Sequence, residues 1–102
     1  EILLSAGETA TLTVRDNVPN PFNPRTLIRY RVADGGAPVA LRIYDLQGRL
    51  VRTLVDRPRT AGEHGVVWDG RDDGGRALPS GTYFCRVAQG GATANLKMTL
   101  VK

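Results

Sequence analysis

The chain is poor in the residues that do chemistry: 102 residues hold one cysteine, one histidine, one methionine and one tryptophan. The single cysteine, Cys85, excludes an internal disulfide. It sits in an alternating apolar stretch and reads as a small buried hydrophobe, not a reactive thiol. With one histidine, His64, and two serines, Ser5 and Ser80, a nucleophile and its oriented base have little to be built from. Ser80 lies in a Pro-Ser-Gly turn and nothing in the sequence ties it to His64, so the domain is expected not to be an enzyme. No cofactor is expected. No apolar run approaches the ~18 residues of a membrane span and none resembles a secretory signal, so no span is expected either. No segment carries a helical period bounded by caps.

What is present suits a small β domain. A chain of this length points to one domain, which on folding buries roughly 65% of its surface. The hydrophobic share of 41% and charged share of 24% are ordinary for a globular protein. Twelve glycines and six prolines demand many tight turns. The net charge is +4 and nearly all of the positive charge is arginine, the only lysines being Lys97 and Lys102. A basic balance of this kind favours acidic partners.

Apolar residues alternate with polar ones in short runs separated by turn residues. Strands are expected over residues 9–14, 26–32, 39–45, 50–55, 65–69, 82–87 and 92–101. The polar run 15–17 is read as following the first strand, and 34–36 as a turn. Ile28, Tyr30 and Val32 share one face, as do Val39, Leu41 and Ile43, then Tyr83, Cys85 and Val87, then Ala94, Leu96, Met98 and Leu100. Seven such strands predict an all-β fold, an Ig-like antiparallel sandwich of two sheets with Trp68 as its central plug. Residues 17–102 form the domain; residues 1–16 are read as a first strand or the tail of a preceding segment.

Three motifs stand out. Pro19, Asn20, Pro21, Phe22, Asn23 and Pro24 exclude helix and suggest a rigid, extended lid. Phe22 is expected to plug the end of the core while the asparagines bond backbone groups that the prolines leave without partners. Tyr44-Asp45-Leu46-Gln47-Gly48-Arg49 is a turn signature. Trp68, Asp69, Gly70, Asp72, Asp73 and Gly74 mark a longer one. Asp69, Asp72 and Asp73 are a weak candidate for a hard cation such as calcium. Their spacing does not fit a calcium loop and arginines intrude, so they are read as caps on turn N–H groups. Arg29, Arg31 and Arg42 project outward from consecutive strands. Should those strands share a sheet, they make a basic patch for an anionic partner, extended by Arg49, Arg52, Arg57 and Arg59. Nucleic acid is not expected, because stacking aromatics do not interleave with these cations.

The order of these motifs carries a resemblance. N-x-P-N-P-F-N-P, an alternating strand, I-Y-D-L-x-G-R, then G-x-H-x-V-x-W-D-G-R-D-D-x-G-x-x-L-x-S-G-x-Y and a closing K-M-x-L-x-K are similar to the carboxy-terminal sorting domains of type IX secretion substrates. They equally resemble the Ig-like domain of the flagellar hook-capping protein. The match covers residues 17–102. One departure is Cys85, where the family usually carries an aromatic or another large apolar residue.

The resemblance implies a non-catalytic module of a larger secreted protein, recognised by the type IX translocon. A sortase-like peptidase would then remove it and attach the cargo to anionic lipopolysaccharide. The implied location is the bacterial cell surface, outside the outer membrane. Recognition is assigned to Asp45, Gly48, Lys97, Met98, Leu100 and Lys102. An alternative is a structural or adhesive subunit in which residues 1–14 add a strand to a neighbour, building an extracellular filament by self-association. A carbohydrate-binding accessory domain is a third reading, weakened by the scarcity of outward aromatics, of which Tyr44 is the clearest.

Overall fold

The computed structural model describes residues 12–33 and 37–102. These residues form seven strands and no helix: β1 (Thr13–Val18), β2 (Thr26–Val32), β3 (Val39–Asp45), β4 (Leu50–Arg57), β5 (Gly62–Trp68), β6 (Gly81–Gln89) and β7 (Ala92–Leu100). They pair antiparallel in two sheets, β1-β2-β5 and β4-β3-β6-β7. The all-β, Ig-like sandwich expected from the alternation is the observed architecture. β2 and β3 have the expected bounds. The later strands differ by one to three residues at their ends, while the expected turn at 34–36 lies outside the described residues.

The first strand departs from expectation. β1 begins at Thr13, and Arg15, Asp16 and Asn17 lie inside it; residues 9–11 of the expected strand lie outside the described residues. Hydrophobic patterning misses this strand because cross-strand partners satisfy its polar side chains. Arg29 grips Asp16 at 2.6 Å and Arg15 reaches Glu63 at 3.1 Å. Asn17 is buried and donates through Nδ2 to Thr26 Oγ1. A register shift between Val14 and Asp16 further breaks the alternation. Thr13 and Val14 pair with Arg31 and Tyr30 of the same chain. Lending residues 1–14 to a neighbour would therefore forfeit pairs already made.

The inward residues of both sheets form one core. Trp68 is fully buried at its centre, between Phe22 at 5.5 Å and Tyr83 at 5.4 Å between ring centroids. Tilted and edge-on packing of this kind suits the ring quadrupoles. Tyr83 donates its hydroxyl proton to Pro79 O at 2.7 Å. Cys85 is buried with them, and burial pushes its thiol up to about 12, so it stays protonated and packs as a hydrophobe.

Phe22 closes the core as anticipated, yet the segment around it is bent, not extended. The peptides before Pro19, Pro21 and Pro24 are cis. Phe22 N–H donates to Thr99 O at 3.0 Å, and Val101 N–H donates back to Phe22 O at 2.9 Å. Asn20 Oδ1 accepts from Thr99 N–H at 3.0 Å. The lid thus occupies the outward backbone groups at the end of β7, leaving the apolar ring to seal the sandwich.

Candidate functional site

The turn joining β3 to β4 is built by one aspartate. Asp45 Oδ1 accepts from the N–H groups of Gln47 and Arg49, each at 2.9 Å. Gly48 N–H donates to Asp45 O, and Asp45 N–H to Arg49 O, both at 2.9 Å. Gly48 sits at φ +85°, the left-handed region that a side chain disfavours. Arg49 Nε closes the turn on Asp45 Oδ2 at 2.8 Å. Hydrogen bonds from the Arg49 N–H first, and then from its guanidinium and the Gln47 N–H, hold Asp45 below the usual carboxylate range. Every one of these bonds is internal to the turn, so Leu46 is left 64% exposed and Leu50, just beyond, 51%.

The 69–76 loop repeats that construction around Asp72. Its Oδ1 accepts from the N–H groups of Gly74 and Arg76 at 2.9 Å. Gly75 N–H donates to Asp72 O, and Asp72 N–H to Arg76 O. Gly75 has φ +86°, and Arg76 faces Asp72 at 3.4 Å. This loop is also fastened to β4. Asp73 N–H donates to Val51 O at 2.9 Å, and Thr53 N–H donates to Asp73 Oδ1 at 3.1 Å. Arg52 donates to Asp69 Oδ1 at 3.2 Å and to Arg71 O at 3.0 Å. Trp68 Nε1–H also donates to Arg71 O at 3.0 Å. The three carboxylates face N–H donors and a guanidinium, the capping arrangement read from the sequence.

The expected basic patch of Arg29, Arg31 and Arg42 does not form. β2 and β3 belong to different sheets, so Arg42 lies on the opposite side of the sandwich from the other two. Arg29 is paired with Asp16, and Arg31 with Glu63 at 2.7 Å. Arg49 serves its own turn and Arg52 holds the 69–76 loop. Arg59 lies with Nη2 3.2 Å from Nδ1 of His64, whose Nε2 is 2.7 Å from Thr60 O. Two register shifts between β3 and β4 set Arg52 opposite inward-facing Ile43, which a strict alternation along β4 does not reveal.

The last strand divides the residues assigned to recognition. Met98 and Leu100 are buried, whereas Lys97 and Lys102 are exposed. Lys102 N–H donates to Ser80 Oγ at 2.9 Å, which gives Ser80 a structural partner. In the folded domain Lys97 and Lys102 face solvent while Met98 and Leu100 pack inward.

The outer face of the four-stranded sheet adds Phe84, Arg86 and Asn95, which the sequence reading passed over. Tyr44, Phe84 and Lys97 lie in one cross-strand row, and Arg42, Arg86 and Asn95 in the next. A hollow of about 340 Å³ opens there, lined by Tyr44, Phe84, Arg86, Asn95 and the 45–48 turn. A second, of about 500 Å³, lies on the other side of that turn, toward Leu78, Pro79 and Tyr83. The inward assignment of Tyr83, Cys85 and Val87 already implies that Phe84 and Arg86 face outward. Their juxtaposition with Tyr44 depends on strand order, which alternation does not supply.

Comparison with solved structures returns the same sandwich. Dimeric latent PorU from Porphyromonas gingivalis aligns over 86% of this chain and 9% of its own, at 23% identity and a TM-score of 0.66. PorZ from the same organism, described as an essential bacterial surface component of the type IX secretion system, aligns over 87% of this chain and 11% of its own, at 22% identity and 0.61. FlgD from P. aeruginosa aligns over 90% of this chain and 69% of its own, at 23% identity and 0.56. The chain thus spans about a tenth of the length of PorU or PorZ. Comparison with curated proteins gives no match. The family model of the FlgD Ig-like domain matches residues 25–99, from just before β2 to the end of β7, and the chain belongs to that family.

Proposed function

We propose that this domain is a non-catalytic sorting module that directs a longer protein through the type IX secretion system to the bacterial cell surface. The observation that carries the reading is modularity. A sandwich of this fold covers nearly all of this chain yet only a tenth of PorU and of PorZ. The unit is self-contained: lid, core and turns close on themselves, which suits a domain that must fold beside unrelated cargo. Its contact surface is the projecting 45–49 turn with Leu46 and Leu50, together with Lys97 and Lys102. Asp45 and Gly48 act by fixing the shape of that turn. The translocon is the first partner. A sortase-like peptidase that transfers the cargo to anionic lipopolysaccharide follows it.

The test is export of a folded reporter carrying the whole chain at its carboxy terminus, in a type IX-competent bacterium and in its translocon-deficient mutant. The whole chain is needed because a fusion starting at residue 17 cuts through β1. Translocon-dependent delivery to the surface supports the reading, and loss of the domain's mass adds cleavage. Retention in the periplasm of both strains overturns it.

A further inference from the structure

The two outer faces of the sandwich treat their cations differently. On the three-stranded sheet, Arg15, Arg29 and Arg31 each meet a carboxylate, Asp16 or Glu63, at 2.6–3.1 Å. On the four-stranded sheet Arg42 and Arg86 are direct cross-strand partners. Like charges placed directly opposite destabilise a sheet. The nearest acid, Asp56, is 3.9 Å from Arg42. Among the described residues neither Arg86 nor Lys97 has a carboxylate within ion-pair distance. Arg86 instead donates through Nε to the neutral Asn95 Oδ1 at 3.2 Å, and its guanidinium lies 5.6 Å from the Tyr44 ring centre. That leaves its terminal N–H groups directed by a neutral amide and an aromatic ring, without an anion. Arg86, held opposite a second guanidinium with no acid of its own, carries a local cost that a bound anion removes.

We propose that this face binds an acidic saccharide, its carboxylate held by Arg86 and Arg42 and a sugar ring lying against Phe84. Three observations choose this ligand over other anions. The hollow of about 340 Å³ is at the small end of ligand sites, roughly 300–1,000 Å³. Its lining joins the rings of Tyr44 and Phe84 to the polar side chains of Arg86 and Asn95, the mixture a ring bearing hydroxyls requires. Only Phe84 offers a ring free of a guanidinium, since Arg86 covers Tyr44. A nucleic-acid strand calls for successive stacking platforms along a basic groove. Lys97, beside Phe84 in the same row, meets the next acidic unit of a chain. The site stands whether or not the domain is a sorting module.

The experiment is titration of the isotopically labelled full chain, followed by amide shifts, with tetragalacturonate as the acidic sugar. Maltotetraose serves as the neutral sugar and an eight-residue oligo(dT) as a nucleic acid. Tetragalacturonate is expected to move amides of β3, β6 and β7 and to bind more weakly as salt rises. Arg86→Gln is expected to weaken binding about tenfold, the effect of losing a charged hydrogen bond. Arg42→Gln and Phe84→Leu weaken it several-fold, and Arg29→Gln on the opposite face leaves it unchanged. Thermal unfolding separates binding from folding: Arg86→Gln removes a like-charge pair, so its Tm stays level or rises while affinity falls. No response to millimolar tetragalacturonate overturns the proposal, as does an equal response to maltotetraose. Tighter binding of oligo(dT) lost in the same variants overturns it in favour of a nucleic-acid surface.

Discussion

Two turns of this domain share one five-residue plan, Asp-x-x-Gly-Arg, and differ in a single consequential position. In 45–49 and in 72–76 the aspartate accepts the same two N–H groups, the glycine takes φ +85° or +86°, and the arginine folds back on the carboxylate. The second residue decides what each turn does next. In the first it is Leu46, which stands 64% exposed. In the second it is Asp73, whose backbone and carboxylate both bond the outer edge of β4. One turn is presented; the other covers a sheet edge that would otherwise offer unpaired backbone groups to other chains. Local turn chemistry alone therefore does not tell a turn left exposed from one anchored to a neighbouring strand.

The largest effect is expected from releasing the second turn. Arg52→Ala removes the donors that bind Asp69, Arg71 and the loop backbone, and urea denaturation should show a loss of about 2–3 kcal/mol. The uncovered β4 edge should also make sedimentation depend on concentration. Arg49→Ala, which strips the exposed cation that closes the presented turn, should cost no more than ~0.5 kcal/mol and leave sedimentation unchanged. Equal losses for the two arginines would erase the distinction. Next in size, Gly48→Ala and Gly75→Ala should each cost about 1 kcal/mol, because the left-handed backbone and not a clash opposes the methyl group. Matching values would show that the two turns share one geometry; a gap well above the error of the measurement would show that the anchoring alters it.

How much of this was legible beforehand follows from which residues carried apolar contrast. β2 and β3 alternate cleanly, and their bounds and buried faces are those read from the sequence. Trp68 and Phe22 were placed correctly because large apolar residues among turn formers have nowhere else to go. β1 was misplaced because Arg15, Asp16 and Asn17 are polar for a cross-strand reason that no single segment displays. The basic patch failed at the level of topology: outward direction is a local property, but sharing a sheet is not. Of the residues assigned to recognition, Asp45 and Gly48 are brought to the presented turn, while Met98 and Leu100 are taken into the core.

Acid should affect both turns alike and modestly. Asp45 and Asp72 are held below the usual carboxylate range, in each case first by the N–H of the arginine four residues on. Asp16 and Glu63 are lowered chiefly by hydrogen bonds from Arg29 and from Arg31. A carboxyl lowered in the folded state lends stability that is complete above its unfolded value, near 4, and is lost as pH falls through the folded one. Unfolding followed by circular dichroism should therefore show a stability plateau above about pH 5 and a decline below pH 4. Asp45→Asn and Asp72→Asn keep an acceptor oxygen for the turn but no longer titrate, so each should flatten that decline by a similar amount.

The smallest change in stability is the most telling for function. Leu46→Ser alters a largely exposed side chain, so its unfolding free energy should stay within about 0.5 kcal/mol. If the presented turn is the contact surface, the same substitution should nonetheless reduce translocon-dependent delivery of a fused reporter. Asp73→Ser at the equivalent place in the second turn should behave in the opposite way. It forfeits the bond from Thr53 N–H, about 1 kcal/mol, yet should deliver the reporter normally at a temperature where the domain stays folded. Crossed outcomes of this kind separate recognition from folding, since a residue that acts only through stability cannot lose delivery while keeping its unfolding free energy. Delivery that tracks stability in both variants would move the contact surface away from the 45–49 turn and toward the ends of β7.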